Sequence, residues 1–211
     1  PRRRSRAGLA EFAHERPPSP LRLLAELPLM LVLAAVVALL LKAFVAQAFS
    51  IPSSSMEPQL LVGDRVAVSR TAYRLHDPNR GDIIVFHAPG TQPDTSALPA
   101  RLARDVLEGV GALKPSETEL IKRVVALEGE VVEARGGRVY VNGRELVEPY
   151  LPPDVATADF AAVTVPEDFV FVLGDNRGNS QDSRFIGPIP VDSIVGRAIA
   201  RIWPVSRWAH L

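Results

Sequence analysis

Three serines, Ser53, Ser54 and Ser55, stand between two prolines in Ile51-Pro52-Ser53-Ser54-Ser55-Met56-Glu57-Pro58. Proline fixes its own φ and restricts the residue before it, so the backbone here has little freedom. A serine run is ordinarily a flexible linker, but a linker has no use for Ile51, Met56 or fixed φ angles. A serine hydroxyl can act as a nucleophile only when a neighbouring group removes its proton. Histidine is the usual base. Of the four histidines, His14 precedes an apolar segment that assigns it to the cytoplasm, and His210 stands close to the C-terminal end. His76 and His87 remain, in turn-like or strand-end settings without an orienting motif, so a Ser-His-Asp triad stays open but unsupported.

Lysine is the other candidate base. Among 24 basic residues only Lys42, Lys114 and Lys122 are lysines. Lys122 lies in Leu120-Ile121-Lys122-Arg123-Val124-Val125-Ala126-Leu127, a run that suits a strand. Alternation then puts Lys122 on one face with Leu120, Val124 and Ala126, and Arg123 on the other. An amine on an apolar face loses hydration, which lowers its pKa from about 10.4 towards neutrality and leaves it able to accept a proton. Arginine keeps its proton and could not do this. A strand lysine can equally snorkel or blunt a sheet edge. On these residues alone both readings stand.

The elements that would hold such a pair read as β. Arg65–Val68 alternates, and Asp82–Phe86 and Leu120–Leu127 are short apolar runs bounded by Gly or Pro. Val131–Ala134 and Arg138–Val141, joined through Gly136-Gly137, predict a hairpin, and Asn142-Gly143 predicts a further turn. Phe169–Leu173 and Ile194–Trp203 add two strands. Nineteen prolines suit irregular connections between strands better than helices. Residues 89–119 differ: a Pro/Thr/Ser-rich start is followed by Leu102, Val106, Leu107 and Val110 at helical spacing, which predicts an insertion with one short helix.

Ahead of this β body, Leu27 to Ala48 is 22 residues long with one charge, Lys42. About 20 apolar residues cross a bilayer as a helix, and Lys42 is near enough the far end to snorkel. Residues 1–26 carry six arginines against three glutamates, so the positive-inside rule keeps them in the cytoplasm and exports the rest. Two other readings compete. Ala46-Gln47-Ala48 fits the small-residue pattern of a signal-peptide cleavage site, although Leu27–Leu41 is long for its apolar region. A buried core helix would need a larger protein around it. The domain expectation is a basic tail 1–26, a single transmembrane anchor 27–48 and an exported β domain 49–211 interrupted by insertion 89–119.

Composition excludes several functions. With 47% hydrophobic and 23% charged residues the chain can build a core. Lys+Arg and Asp+Glu both number 24, which argues against a nucleic-acid partner held by bulk positive charge. No cysteine is present, which removes disulfides and thiolate metal sites, and the histidines lack ligand spacing. No cofactor and no metal are expected.

Ser53-Ser54-Ser55-Met56-Glu57-Pro58 resembles the P-S-x-S-M-x-P box of bacterial type I signal peptidases, or leader peptidases. Four further segments resemble that family's boxes in the family's order: Leu60–Asp64, Arg80–Phe86, Ile121–Val125, and Gly174-Asp175-Asn176-Arg177-Gly178-Asn179-Ser180-Gln181-Asp182-Ser183-Arg184. The last is specific by itself. The resemblance implies an antiparallel β-sheet catalytic domain behind an N-terminal membrane helix, in the cytoplasmic membrane of a bacterium with its catalytic side outside. It implies Ser55 as nucleophile and Lys122 as general base of a Ser–Lys dyad. The Ser55 N–H and Ser53 hydroxyl become the oxyanion hole, and Ser180 the residue that hydrogen-bonds and orients the lysine. Asp182 and Arg184 become an ion pair in the same loop, and Asp175 and Arg177 structural supports. The partners implied are preprotein signal peptides, cut after small-residue A-x-A sites, and membrane lipid.

The chain departs from the family pattern at Gln59, at Ala126–Glu130 and at Gly178, none of them a dyad position. Two other classes share some of these features. A non-catalytic membrane-anchored β-domain that binds envelope partners predicts damage at the dyad, and none is present. A self-cleaving Ser–Lys repressor would carry a DNA-binding domain where Leu27–Ala48 stands. Two shallow apolar pockets are expected beside Ser55, lined by Ile83–Phe86 and Leu120–Val124. The chain's own Ala46-Gln47-Ala48 is expected to stay uncut.

Overall fold

The computed structural model describes residues 28, 30–34, 47–74, 76–90 and 119–211. The chain divides into two compact units, Pro1–Leu40 and Leu41–Leu211. In the first, the described residues are helical, with Met30 to Leu33 exposed. No helix among the described residues is long and apolar enough to cross a membrane. Most of the expected anchor 27–48, the whole tail 1–26 and the helix expected at 102–110 lie outside the described residues.

The second unit is built from β1 (Gln47–Ser50), β2 (Arg65–Ser69), β3 (Ile83–His87), β4 (Glu119–Ala126), β5 (Val131–Arg135) and β6 (Arg138–Val141). These are followed by β7 (Arg144–Glu145), β8 (Phe160–Thr164), β9 (Phe169–Leu173), a one-turn helix α1 (Ser183–Ile186), β10 (Ile189–Pro190), β11 (Ile194–Trp203) and β12 (Ala209–His210). An eight-stranded sheet runs β1-β2-β11-β3-β4-β9-β10 with β12 paired to β11, and a four-stranded sheet runs β7-β6-β5-β8. Every pairing is antiparallel. The fold is mainly antiparallel β.

Seven of the strands fall where the apolar patterning predicts them, and the glycine signals work through φ. Gly136 and Gly137 (φ 58° and 81°) close the β5–β6 hairpin, and Asn142 and Gly143 (φ 51° and 75°) close β6–β7. Two successive positive φ values match the right-handed twist of the flanking strands. One boundary differs from expectation. Gln47 and Ala48, read above as the end of the apolar segment, are the first residues of β1, paired with Val68 and Ala67. β8, β10, β12 and α1 were not legible: β8 is largely exposed and the others are too short to show a period.

β4 positions the site. It lies between β3 and β9, with Lys122 opposite Ile84 and Arg123 opposite both Ile83 and Leu173. One core, containing Ile51, Met56, Leu60, Ile83, Val85 and Ile121, packs the serine segment onto β3 and β4. A second core takes Ile84, Phe86, Val124, Val172 and Ile189, and a third fills the four-stranded sheet around Phe171.

Candidate active site

The serine segment folds as a 3₁₀ turn, Ser54–Met56, that turns Ser55 and Met56 inward. Met56 is fully buried in the first core, and Ile51 exchanges backbone hydrogen bonds with the far end of the segment, donating to Asp64 O (2.9 Å) and accepting from Gly63 N–H (2.9 Å). The Asp64 carboxylate in turn accepts from Leu61 N–H and from Arg207. The proline-bounded serines are therefore pinned at both ends.

Lys122 Nζ is 2.8 Å from Ser55 Oγ and donates to Ile121 O at 2.7 Å. Lys122 is 2% exposed and Ser55 6%. Burial pulls the Lys122 amine down from 10.5 to about 8, against the opposing charges of Asp182 and Asp175. Ser53 Oγ donates to Ser55 Oγ over 3.3 Å. Ser55 N–H sits in the first turn of the 3₁₀ helix, where the helix itself supplies no acceptor.

The loop after β9 grips the same turn from the other side. Asn176 N–H donates to Ser55 O (3.0 Å), the Asn176 amide to Ser54 O (3.1 Å), and the Asn179 amide to Ser54 Oγ (3.0 Å). Gly174 makes this approach feasible: a Cβ there would come within 2.5 Å of Ser55 O and 2.2 Å of Ser180 Oγ. Asp182 is fully buried, caps α1, pairs with Arg184 (2.8 Å) and accepts Gly174 N–H (3.0 Å). Asp175 takes a two-pronged ion pair from Arg123 (2.8 and 2.7 Å), and Arg177 donates to Gly174 O (3.1 Å).

A buried serine hydroxyl against a depressed lysine amine, with the Ser55 N–H and the Ser53 hydroxyl beside it, is an arrangement suited to acyl transfer. Comparison with known proteins agrees. A family model described as signal peptidase, peptidase S26, matches residues 24–203. The chain belongs to the signal peptidase family. It is 44% identical over 182 residues to signal peptidase I of Leptolyngbya laminosa, covering 85% of this chain and 79% of that protein. It is 37% identical over 218 residues to signal peptidase I of Mycobacterium tuberculosis (strain ATCC 25618 / H37Rv), covering 88% and 74%. A crystal structure of a signal peptidase I from Enterococcus faecalis, 30% identical, aligns with 58% of this chain and 97% of its own at a TM-score of 0.41. Like these relatives the chain is a hydrolase, a signal peptidase of the serine endopeptidase type.

Against that family background, the structure brings Ser53, Ser55, Lys122, Asp175, Arg177, Asp182 and Arg184 into one connected network. Ser180 behaves differently from expectation. It lies beside Gly174, but its buried hydroxyl has no hydrogen-bond partner among the described residues, and the lysine bonds Ser55 and Ile121 instead. The two candidate histidines lie elsewhere: His76 bonds Asp77 O, and His87 lines a separate cavity with Tyr73, Asp168, Phe169 and Asp192. Along β3, where substrate pockets were expected, Ile83, Ile84, Val85 and Phe86 are buried in the cores. Sequence reasoning assigned no role to Asn176, Asn179, Arg123, Glu148, Tyr150 or Thr157. The specific eleven-residue segment contained the two asparagines, and that was the available signal.

Proposed function

We propose that this signal peptidase is a membrane-anchored serine endopeptidase that releases exported preproteins by cutting after small-residue A-x-A sites, with Ser55 as nucleophile and Lys122 as general base. The 2.8 Å contact between Lys122 Nζ and Ser55 Oγ in a buried setting carries the reading. When the amine is neutral the bond reverses its sense, and the Ser55 O–H donates to the Nζ lone pair. As Oγ bonds to the scissile carbonyl carbon, the proton passes to Nζ and the carbonyl electrons move onto oxygen. Ser55 N–H and the Ser53 hydroxyl, a short rotation away, are the donors available to that oxyanion. The protonated amine then gives its proton to the departing peptide nitrogen, leaving an acyl-enzyme. Water, deprotonated by the same lysine, hydrolyses it.

The neutral amine has two N–H groups. Ile121 O accepts one, and the unpartnered Ser180 hydroxyl is a fitting acceptor for the second, which would aim the lone pair at Ser55. Asp182 with Arg184, and Asp175 and Arg177, hold the loop that presses on Ser54 and Ser55. The steps use no cofactor and no metal.

Substrate choice follows from burial. Ser55 is 6% exposed, so an extended peptide reaches it only if the residues flanking the scissile bond are slim, which favours small side chains by exclusion. The apolar segment ahead of β1, residues 27–46, supplies the anchor in this reading, single-pass in a bacterial cytoplasmic membrane with the β domain outside, and membrane lipid is then a partner alongside the signal peptide. The test is the purified full chain in detergent with a preprotein. Mass spectrometry should find the cut after an A-x-A site, with no product from Ser55→Ala. Cleavage persisting in that variant would overturn the reading.

A further inference from the structure

The connection from β7 to β8 touches the site at two points. Glu148 accepts both from the Arg177 guanidinium and from the Tyr150 hydroxyl (2.6 Å), and Arg177 also donates to Thr157 (2.6 Å). The Tyr150 ring lies 3.9 Å beneath the Arg123 guanidinium. Arg123 follows Lys122 directly, and Arg177 belongs to the loop that holds Ser55 O. The ends of this circuit are the two residues flanking the buried carboxylate Asp175: Arg123 on its oxygens, Arg177 two positions along the chain. The Arg177 side chain is 1% exposed and Glu148 12%. Burial and the Glu148 charge push the Tyr150 phenol up, so its proton stays in place to donate.

We infer that Glu148 and Tyr150 are positioning residues of the peptidase, a clasp that fixes Lys122 and the Ser55 turn relative to each other through Arg123 and Arg177. The assignment rests on the Ser55–Lys122 reading. It also gives the four-stranded sheet a part in catalysis, because Thr157 N–H donates to Gly137 O (3.0 Å), tying the clasp to the β5–β6 hairpin. Without Glu148, Arg177 keeps a buried charge with less compensation and loses its fixed hold on Gly174 O. The loop carrying Asn176 then moves, and the Ser54–Ser55 carbonyls with it. Without the Tyr150 ring, Arg123 loses one wall of its slot, and the backbone that carries Lys122 gains freedom.

The experiment measures kcat and KM on a signal-peptide substrate with the full chain in detergent, alongside thermal unfolding of each variant. Misplacement of reacting groups by a fraction of an ångström to an ångström costs kcat about 10- to 100-fold, whereas ground-state binding of the substrate survives. Glu148→Ala should show that fall with KM changed less than about twofold. Glu148→Gln keeps an acceptor oxygen for Arg177 and should recover part of the loss. Tyr150→Leu should lower kcat more than Tyr150→Phe, which keeps the ring over Arg123, and it stands in where Glu148→Ala does not fold. Wild-type kcat in folded Glu148→Ala or Tyr150→Leu, or a fall that matches only the unfolded fraction, overturns the clasp. Lys122→Ala in the same assay separates the two ideas, because activity there would sink the dyad reading instead.

Discussion

In the proposed reading one buried amine, Lys122, carries the chemistry of the chain. In the proposed mechanism Ser55→Ala and Lys122→Ala both reduce turnover to background while the fold survives, and circular dichroism with an activity assay checks this. Lys122→Arg should fail as completely, because the charge remains but the removable proton does not. The depressed amine also sets a pH dependence. Lys122 must be neutral to accept the Ser55 proton, so kcat should rise through about pH 8 and level off above it. A rate flat down to pH 5 with chemistry limiting would contradict the lysine base. The same shift has a stability side. Between pH 8 and 10.5 the unfolded chain holds a proton that the folded chain has released, so stability increases with pH across that window. Below it the fold carries a cost on the order of 3 kcal/mol. Lys122→Met should therefore gain stability relative to wild type at pH 7 and lose that advantage towards pH 10.5, as denaturant titrations at several pH values would show. The apolar face of Lys122 was legible in sequence from strand alternation, whereas its role as base came only from the family resemblance. The Ser180 hydroxyl was not, because which acceptor a lysine chooses depends on side-chain rotamers that spacing does not encode.

At the scale of elements, the loop Gly174–Asp182 and the turn Ser54–Met56 behave as one piece. Two backbone carbonyls of the turn accept from Asn176, the Ser54 hydroxyl accepts from Asn179, and Gly174 lets turn and loop meet. The requirement there is space, since no positive φ is involved. Gly174→Ala would put a methyl within 2.5 Å of Ser55 O and of the Ser180 side chain. The Ser55 carbonyl cannot yield without moving Ser55 itself. The expected result is a loss of about 1–3 kcal/mol from overpacking and a fall in kcat of about 100-fold, read by unfolding and steady-state kinetics. Wild-type turnover would mean that the turn tolerates displacement. Strands with a clear period, β2 to β6, β9 and β11, could be read from the sequence because one or both faces are buried. β8 could not, because its pattern is mostly exposed, and β1 was hidden by the apolar run that leads into it. The ion pairs between Arg123, Asp175, Arg177 and Glu148 join residues up to 52 positions apart, a distance no local pattern reports.

At the scale of the whole molecule, a peptidase with the proposed A-x-A specificity has to coexist with its own Ala46-Gln47-Ala48. In the proposed anchored form, enzyme and signal peptide share one membrane, which raises their effective concentration, and the same holds for neighbouring copies of the enzyme. Two features protect the bond after Ala48. Ala48 and Phe49 lie in β1, paired with Ala67 and Val66 of β2, so their backbone is already engaged. A protease needs that backbone extended and free to enter the site. The segment from Phe49 to Ser54 is also too short, and too firmly fixed at Ile51, to fold Ala48 back onto Ser55 of the same molecule. Cleavage between molecules at high density, after β1 has peeled from the sheet edge, is the remaining route. At low expression the wild-type chain should therefore keep its apolar segment, and N-terminal sequencing should find no product beginning at Phe49. At high expression a minor Phe49 product should appear in wild type and be absent from Ser55→Ala. A wild-type chain starting wholly at Phe49 even at low expression, and intact in Ser55→Ala, would overturn the retained anchor, and it would show that β1 pairing gives the bond no protection.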